Sequence, residues 1–140
     1  MRALSIRQPF AELILRGMKT VEYRSRPTRI IGERFFIYAS RRPAGGSRQR
    51  GAIWSRDVGV ADEPLPPWMV ELAEGLRLWK PGELPTGVIV GSAIIERCEP
   101  MSTAAQPSAT TYAWHLVDVT RLDRPRKPRR HAQPAWFNPF

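Results

Sequence analysis

The stretch ALSIRQPFAELILRGMKTVEYR, residues 3–24, decides the fold because it predicts a strand and a helix that ends in a tight reversal. Ala3–Ile6 has the pattern of a short first strand, and the helix is expected over residues 8–17. Pro9 suits the first turn of a helix, where a missing backbone N–H costs nothing. Gly17 suits the left-handed position after the last turn.

Four further segments have the composition of strands. Thr20 to Arg24 is rich in β-favouring residues, and Arg34 to Ala39 is an apolar run with aromatic and branched side chains. Val88 to Glu96 predicts a strand that is buried on much of both faces, and Tyr112 to Thr120 alternates like another strand. Gly91 inside the third segment indicates a bulge or a close backbone approach.

The remaining segments have no strand pattern. Residues 44–67 are rich in Gly, Pro and Arg and predict an irregular insertion, which residues 68–77 follow as a short helix. Residues 121–131 form a basic tail that prolines interrupt. Because helices are few and do not alternate with strands, the chain predicts one α+β domain over 1–140, with a curled and largely antiparallel sheet.

The charge balance favours an anionic partner. Lys and Arg number 22 against 13 acidic residues, which gives a formal charge of +9 and a pI near 11. Such a chain attracts polyanions, RNA among them, although a generally basic proteome would give the same balance. Cys98 is the single cysteine and there are two histidines, so we expect no disulfide, no metal and no cofactor. With no signal peptide or membrane-spanning run, the expected location is cytoplasmic.

The segment GMKTVEYR, residues 17–24, carries the candidate chemistry. Glu22 and Arg24 are two residues apart in a strand, so both lie on one face, where the carboxylate can orient the guanidinium for a phosphate or a base edge. Strict alternation would place Lys19 on the other face. Because Lys19 lies in the turn, we expect it to share a cavity with Glu22. The alternative is a helix end followed by an edge strand with solvated charges.

The pattern Gly-x-Lys-x-x-Glu-x-Arg resembles the signature of the ASCH family, in the PUA-like superfamily of small β-barrel domains. The resemblance covers nearly the whole chain except residues 44–84. It extends to these flanking segments: SIRQPFA at 5–11, IYAS at 37–40, GVIVGSAIIE at 87–96, YAWHL at 112–116 and QPAWF at 133–137.

The resemblance implies a small, partly open and mostly antiparallel β-barrel with two or three flanking helices and a cleft that holds a base or nucleotide of RNA. It also implies a role in RNA metabolism. The residues expected to bind RNA or a nucleotide are Arg7, Gln8, Lys19, Glu22, Arg24, Tyr38, Ser40, Arg41, Arg42, Arg126 and Arg129.

Two alternatives to simple RNA binding stay open. Some relatives resemble ribonucleases and others remove an acetyl group from a modified cytidine, so Lys19 and Glu22 would be the catalytic residues of an RNA-processing hydrolase. The amidohydrolase branch has a threonine nucleophile where this chain has Glu22, which disfavours that reaction. The second alternative is a protein-interaction module that acts through residues 44–67.

Overall fold

The computed structural model describes residues 1–42, 84–103 and 106–140 and shows a mostly β structure. The insertion predicted over 44–67 and the helix predicted over 68–77 lie outside the described residues. Within the described ranges, no helix is long and apolar enough to cross a membrane. The elements in chain order are β1 (Ala3–Ile6), α1 (Phe10–Leu15), β2 (Val21–Arg24), β3 (Arg34–Ala39), β4 (Val88–Thr103), β5 (Gln106–Arg126) and β6 (Trp136–Phe137).

The observed elements differ from the predicted ones mainly at their ends. Helix α1 begins after Pro9, which takes the N-cap position, and Gly17 has the expected positive φ of 75°. Strand β5 continues to Arg126, so residues 121–126 of the predicted basic tail belong to the sheet. The pairing of β4 with β5 continues as far as Ile89 and Arg126. Pro125 does not end the strand, because a proline removes only one backbone hydrogen-bond donor.

The six strands form a single sheet in the order β2-β5-β4-β3-β1-β6. Strands β1 and β3 are parallel, and every other neighbouring pair is antiparallel. Among the described strands, β2 and β6 lie at the two ends of the order and do not pair with each other. The expected β-barrel is therefore corrected to an open sheet. One helix, α1, flanks it within the described residues.

Side chains connect the two ends of this open sheet. Arg24 of β2 donates a hydrogen bond from Nη2 to the carbonyl oxygen of Ser5 in β1, at 2.7 Å. Trp114 of β5 stacks on Trp136 of β6, with ring centroids 5.9 Å apart and planes 11° apart. The sheet is therefore strongly curled, and side-chain contacts rather than a backbone ladder bring its ends together.

The curled sheet has a core on each face. Helix α1 packs on one face, where Phe10, Leu13 and Ile14 are buried with side chains from β1, β3, β4 and β5. The opposite face carries a smaller cluster around Tyr38, which the C-terminal residues Phe137 and Phe140 cover. The α1 face holds the candidate site.

Gly91 allows α1 to lie directly on the sheet. A Cβ atom at this position would lie 2.4 Å from Leu15 Cδ2 and 2.5 Å from the backbone oxygen of Thr120. The β4–β5 register also shifts between Ile89 and Gly91. The sequence-based expectation of an irregularity with a close approach at Gly91 is thus confirmed, because there is no room for a side chain.

A β-bulge at Asp118 changes which residues of β5 face the helix. The pairs Ser92–Thr120 and Ile94–Val117 enclose one extra residue on β5, and Asp118 has a φ of 51°. Arg34 holds the bulge: its Nη1 donates to the Asp118 carbonyl at 3.0 Å, and its Nη2 pairs with the Asp118 carboxylate. The extra residue reverses the alternation of side chains, so Arg121 faces α1.

Arg121 fastens α1 to β5 through a buried carboxylate. Its Nη1 and Nη2 donate to the two oxygens of Glu12 at 3.1 and 2.7 Å, and Arg16 Nε donates to Glu12 Oε1 at 2.9 Å. Burial by itself raises the pKa of Glu12, but the hydrogen bonds and charges of Arg121 and Arg16 outweigh it, so the pKa is lowered. Glu12 is therefore an anionic anchor of the helix.

We predict that Gly91→Ala lowers the free energy of unfolding by about 3 kcal/mol, because the new methyl group overlaps Leu15 and the Thr120 backbone. Gly32→Ala is the matched control: its Cβ would meet nothing within 4 Å, so only the positive φ of Gly32 costs stability, about 1 kcal/mol. Urea unfolding of both variants measures the difference. An equal loss in both would contradict the close packing at Gly91.

Glu12→Gln should lower the free energy of unfolding by about 1–3 kcal/mol at neutral pH, because Arg121 loses a charged partner. The folded pKa of Glu12 lies below its usual value of 4.5. The stabilisation is therefore complete above that value and is lost as the pH falls through the folded pKa. The gap between wild type and variant should close in acid. The exposed Glu33→Gln is the control and should change stability by less than about 0.5 kcal/mol.

Candidate functional site

The chain reversal after α1 positions the first residue of the site. Gly17 adopts its left-handed conformation, and the N–H groups of Met18 and Lys19 both donate to the Leu13 carbonyl, at 3.0 and 3.1 Å. These two bonds satisfy the Leu13 carbonyl near the helix end and turn the chain sharply under the helix. The Lys19 side chain consequently enters the protein interior instead of extending into solvent.

Lys19 and Glu22 form a buried ion pair. Lys19 Nζ lies 3.2 Å from Glu22 Oε2, and the two side chains are 3% and 2% exposed. The ammonium also donates to the Val21 carbonyl at 2.7 Å and lies 5.1 Å from the centre of the Phe10 ring. The two side chains are in contact in the interior because Lys19 precedes β2 and is not bound by the alternation of that strand.

Arg24 extends this pair toward the surface. Its Nε lies 3.4 Å from Glu22 Oε1, and its guanidinium carbon lies 5.8 Å from the centre of the Trp114 ring. Glu22 pairs with Trp114 in the β2–β5 ladder, so these side chains share the α1 face. The Arg24 side chain is 23% exposed, whereas its two charged neighbours are buried.

We call Lys19, Glu22 and Arg24 the motif cluster. Its charges alternate as ammonium, carboxylate and guanidinium, which leaves an excess of one positive charge. The carboxylate holds both cations, and Arg24 is also fixed by Ser5 and Trp114. Of the three, only Arg24 presents a substantial exposed surface, so an anion or a planar polar group would meet an oriented guanidinium first.

Three of the other predicted site residues lie near the carboxyl ends of β1 and β3. Ile6 pairs with Ala39, so Arg7 and Ser40 follow the two strands at the same end of the sheet. Gln8 is buried and acts in the fold: its Oε1 accepts the Glu12 N–H at 3.0 Å, and its Nε2 donates to the Pro85 carbonyl at 3.0 Å. Both polar ends of Gln8 are thus used within the protein.

Other predicted residues lie apart from the motif cluster. Tyr38 is buried on the opposite face of the sheet, in edge-to-face contact with Phe137 at 5.2 Å. Arg126 lies over the Phe140 ring, 3.8 Å from its centre, and Phe140 also packs on that opposite face. Arg129 is exposed in the C-terminal segment, and its N–H donates to the Pro139 carbonyl at 2.8 Å. The structure does not bring these side chains to Lys19.

Arg41 and Arg42 are both exposed and follow β3 directly. The Arg41 side chain lies against Gly87, so that a Cβ there would be 3.2 Å from Arg41 Cγ. They are at the same end of the sheet as Arg7 and Ser40.

Sequence reasoning missed two roles. It gave Trp114 no role in the site, whereas the buried Trp114 ring lies beneath Arg24 and its Nε1 donates to the Arg26 carbonyl at 3.1 Å. It also placed Arg121 in a basic tail, whereas Glu12 binds it. A glutamate at position 12 among apolar helix residues was the available signal. In the part of the chain that the structure describes, no group of three or more His, Cys, Asp or Glu could hold a metal.

The family model of the ASCH domain matches residues 4–126 of this chain, a range that includes the whole motif cluster. The chain belongs to the ASCH domain family. No curated protein matches it.

Solved structures of an ASCH protein from Zymomonas mobilis share the fold of this ASCH chain. One of these structures is 18% identical in sequence with a TM-score of 0.50, and the match covers 90% of this chain and 72% of the Zymomonas mobilis chain. A serine-to-alanine variant is 18% identical with a TM-score of 0.53, and the match covers 97% of this chain and 85% of the variant chain. A tyrosine-to-phenylalanine variant is 18% identical with a TM-score of 0.50, and the match covers 90% of this chain and 74% of the variant chain. At this identity the likeness concerns the fold alone.

Lys19→Met and Glu22→Gln should each lower the free energy of unfolding by about 3–5 kcal/mol, because each removes one charge from a buried ion pair. The double variant should lose less than the sum of the two, since both charges of the pair are then absent. Urea unfolding of the four proteins gives the coupling energy. Strictly additive losses would show that the two groups do not interact.

Proposed function

We propose that this ASCH protein binds RNA and holds a base or nucleotide beside the motif cluster. The observation that carries the proposal is the Arg24 guanidinium, which a buried carboxylate orients while part of it remains exposed. A planar fork of N–H donors in a fixed direction suits a phosphate or the acceptor edge of a base.

The distribution of basic residues around Arg24 supports this proposal. The Trp114 side chain lies beneath the Arg24 guanidinium and holds the following loop through the Arg26 carbonyl. Arg26 and Arg29 in that loop are exposed, and within the described residues neither forms an ion pair. Unpaired guanidinium groups are available to release counterions from an RNA backbone. The PUA-like fold is also often associated with RNA, in line with a net charge of +9.

A second candidate function is an RNA-processing hydrolase that uses Lys19 and Glu22. The 3.2 Å contact between an ammonium and a carboxylate favours it, because such a pair can move a proton. A catalytic group must touch the reacting atoms, and both side chains are almost entirely buried. Their burial favours the role of orienting Arg24 over that of a catalyst. Thr20 offers no nucleophile beside the pair, since it is exposed.

The test of RNA binding is fluorescence anisotropy with a labelled single-stranded RNA at low salt. Wild-type affinity should fall steeply as salt rises. Arg24→Ala should weaken binding by about tenfold or more, which exceeds the loss of one distant charge. Arg24→Lys keeps the charge but lacks the planar fork, so it should also weaken binding. Arg124→Ala removes one exposed positive charge elsewhere and is the matched control.

Two outcomes would contradict the proposal. One is the absence of detectable binding to single-stranded RNA at low salt. The other is an Arg24→Ala loss no larger than that of Arg124→Ala, since binding would then depend on net charge alone. Thermal melting of each variant shows whether it is folded. If Arg24→Ala does not fold, Arg24→Lys carries the comparison.

A further inference from the structure

We propose that an open depression beside β6 is a second nucleotide subsite, which takes the neighbour of the nucleotide held at Arg24. This inference rests on the proposed RNA-binding function and extends it from one nucleotide to two. The depression has a volume of about 410 Å³, within the range of small-molecule sites. Its described lining residues are Arg130, His131, Gln133, Trp136, Phe137 and Asn138.

The lining has the chemistry that a nucleotide requires. Arg130 supplies a guanidinium for the phosphate, and none of the six lining residues is acidic. The side-chain amides of Gln133 and Asn138 each offer both donors and an acceptor, as the edge of a base does. The half-buried Trp136 supplies aromatic surface for the base itself. A free inorganic anion would need only the cation, so the amides and the Trp136 ring favour a nucleotide.

Two contacts place the depression next to the motif cluster. The first runs through Ser5: its carbonyl accepts from Arg24, its N–H donates to the Ala135 carbonyl at 2.9 Å, and its Oγ donates to the Gln133 carbonyl at 2.7 Å. The backbone of β1 thus joins Arg24 to the segment that forms the depression.

The second contact is a stack of rings. The Arg24 guanidinium lies over Trp114, Trp114 stacks on Trp136, and Trp136 lines the depression. Trp136 is also fixed by edge-to-face contact with Phe35, with ring centroids 5.2 Å apart. Two stacked tryptophan rings therefore connect Arg24 to the depression, at the place where the two ends of the sheet meet. Two consecutive nucleotides of a single strand would occupy the two positions.

The test compares oligoribonucleotides of one, two and four nucleotides, each with a 5′ phosphate, in NMR titrations up to millimolar concentration. Wild-type protein should bind the dinucleotide about tenfold or more tightly than the mononucleotide, because a second base is bound. The backbone amide signals of residues 130–138 should shift with the dinucleotide. Arg130→Ala and Asn138→Ala should reduce the gain from the second nucleotide to less than about twofold.

The control is Arg124→Ala, which removes the same charge as Arg130→Ala outside the depression and should keep the full gain. The inference is overturned if wild type binds the mononucleotide but gains nothing from the second, or if Arg130→Ala and Asn138→Ala keep the gain. Loss in Arg130→Ala with no loss in Asn138→Ala would overturn the nucleotide assignment in favour of an anion contact. No binding of any oligonucleotide by wild type would instead refute the proposed function itself.

Discussion

The buried pair between Lys19 and Glu22 is the constraint on which the site depends. Two opposite charges inside an apolar core are stable only when each is held by close partners, since the interior cannot solvate them. Lys19 meets this requirement through Glu22 and the Val21 carbonyl. Glu22 in turn takes Arg24 as a second cation. The pair therefore determines the direction of Arg24, the one member of the motif cluster that reaches solvent to a useful extent.

Arg24 also links the site to the closure of the sheet. Its bond to the Ser5 carbonyl joins β2, at one end of the strand order, to β1 near the other end. The Trp114–Trp136 stack spans the same gap. In a sheet that closes by a backbone ladder, the N–H and C=O groups of the two edge strands form hydrogen bonds with each other. Here the gap is bridged by side chains, and the proposed RNA ligand would lie next to them.

The local elements could be predicted from the sequence because short-range physics determines them. Strand β3 was predicted with its observed bounds, and Gly17 and Gly91 have the roles that their positions indicated. The length of β5 could not be predicted, since it depends on pairing with a distant strand. The bulge at Asp118 was missed for a similar reason: it needs Arg34, 84 residues earlier in the chain.

The site was predictable to a similar extent. The proximity of Lys19 and Glu22 followed from the turn at Gly17, whereas the sharing of Arg24 between Glu22, Ser5 and Trp114 is a property of the curled sheet. Tyr38 shows the limit of reasoning from neighbouring strands. It follows Ile37 in β3, and the alternation of a strand carries it to the face opposite α1, away from the motif cluster.

The contacts of each arginine show whether its positive charge is engaged within the protein or exposed to solvent. Arg121 and Arg34 are bound to Glu12 and Asp118 and stabilise the helix contact and the bulge, so they contribute little to an anionic ligand. Arg126 lies on the Phe140 ring on the far face. Arg26 and Arg29 remain exposed without an acidic partner among the described residues, beside the loop that Trp114 holds. Arg121, Arg34 and Arg126 are therefore engaged within the fold, whereas Arg26 and Arg29 leave exposed positive charge close to Arg24, where the proposed RNA ligand would lie.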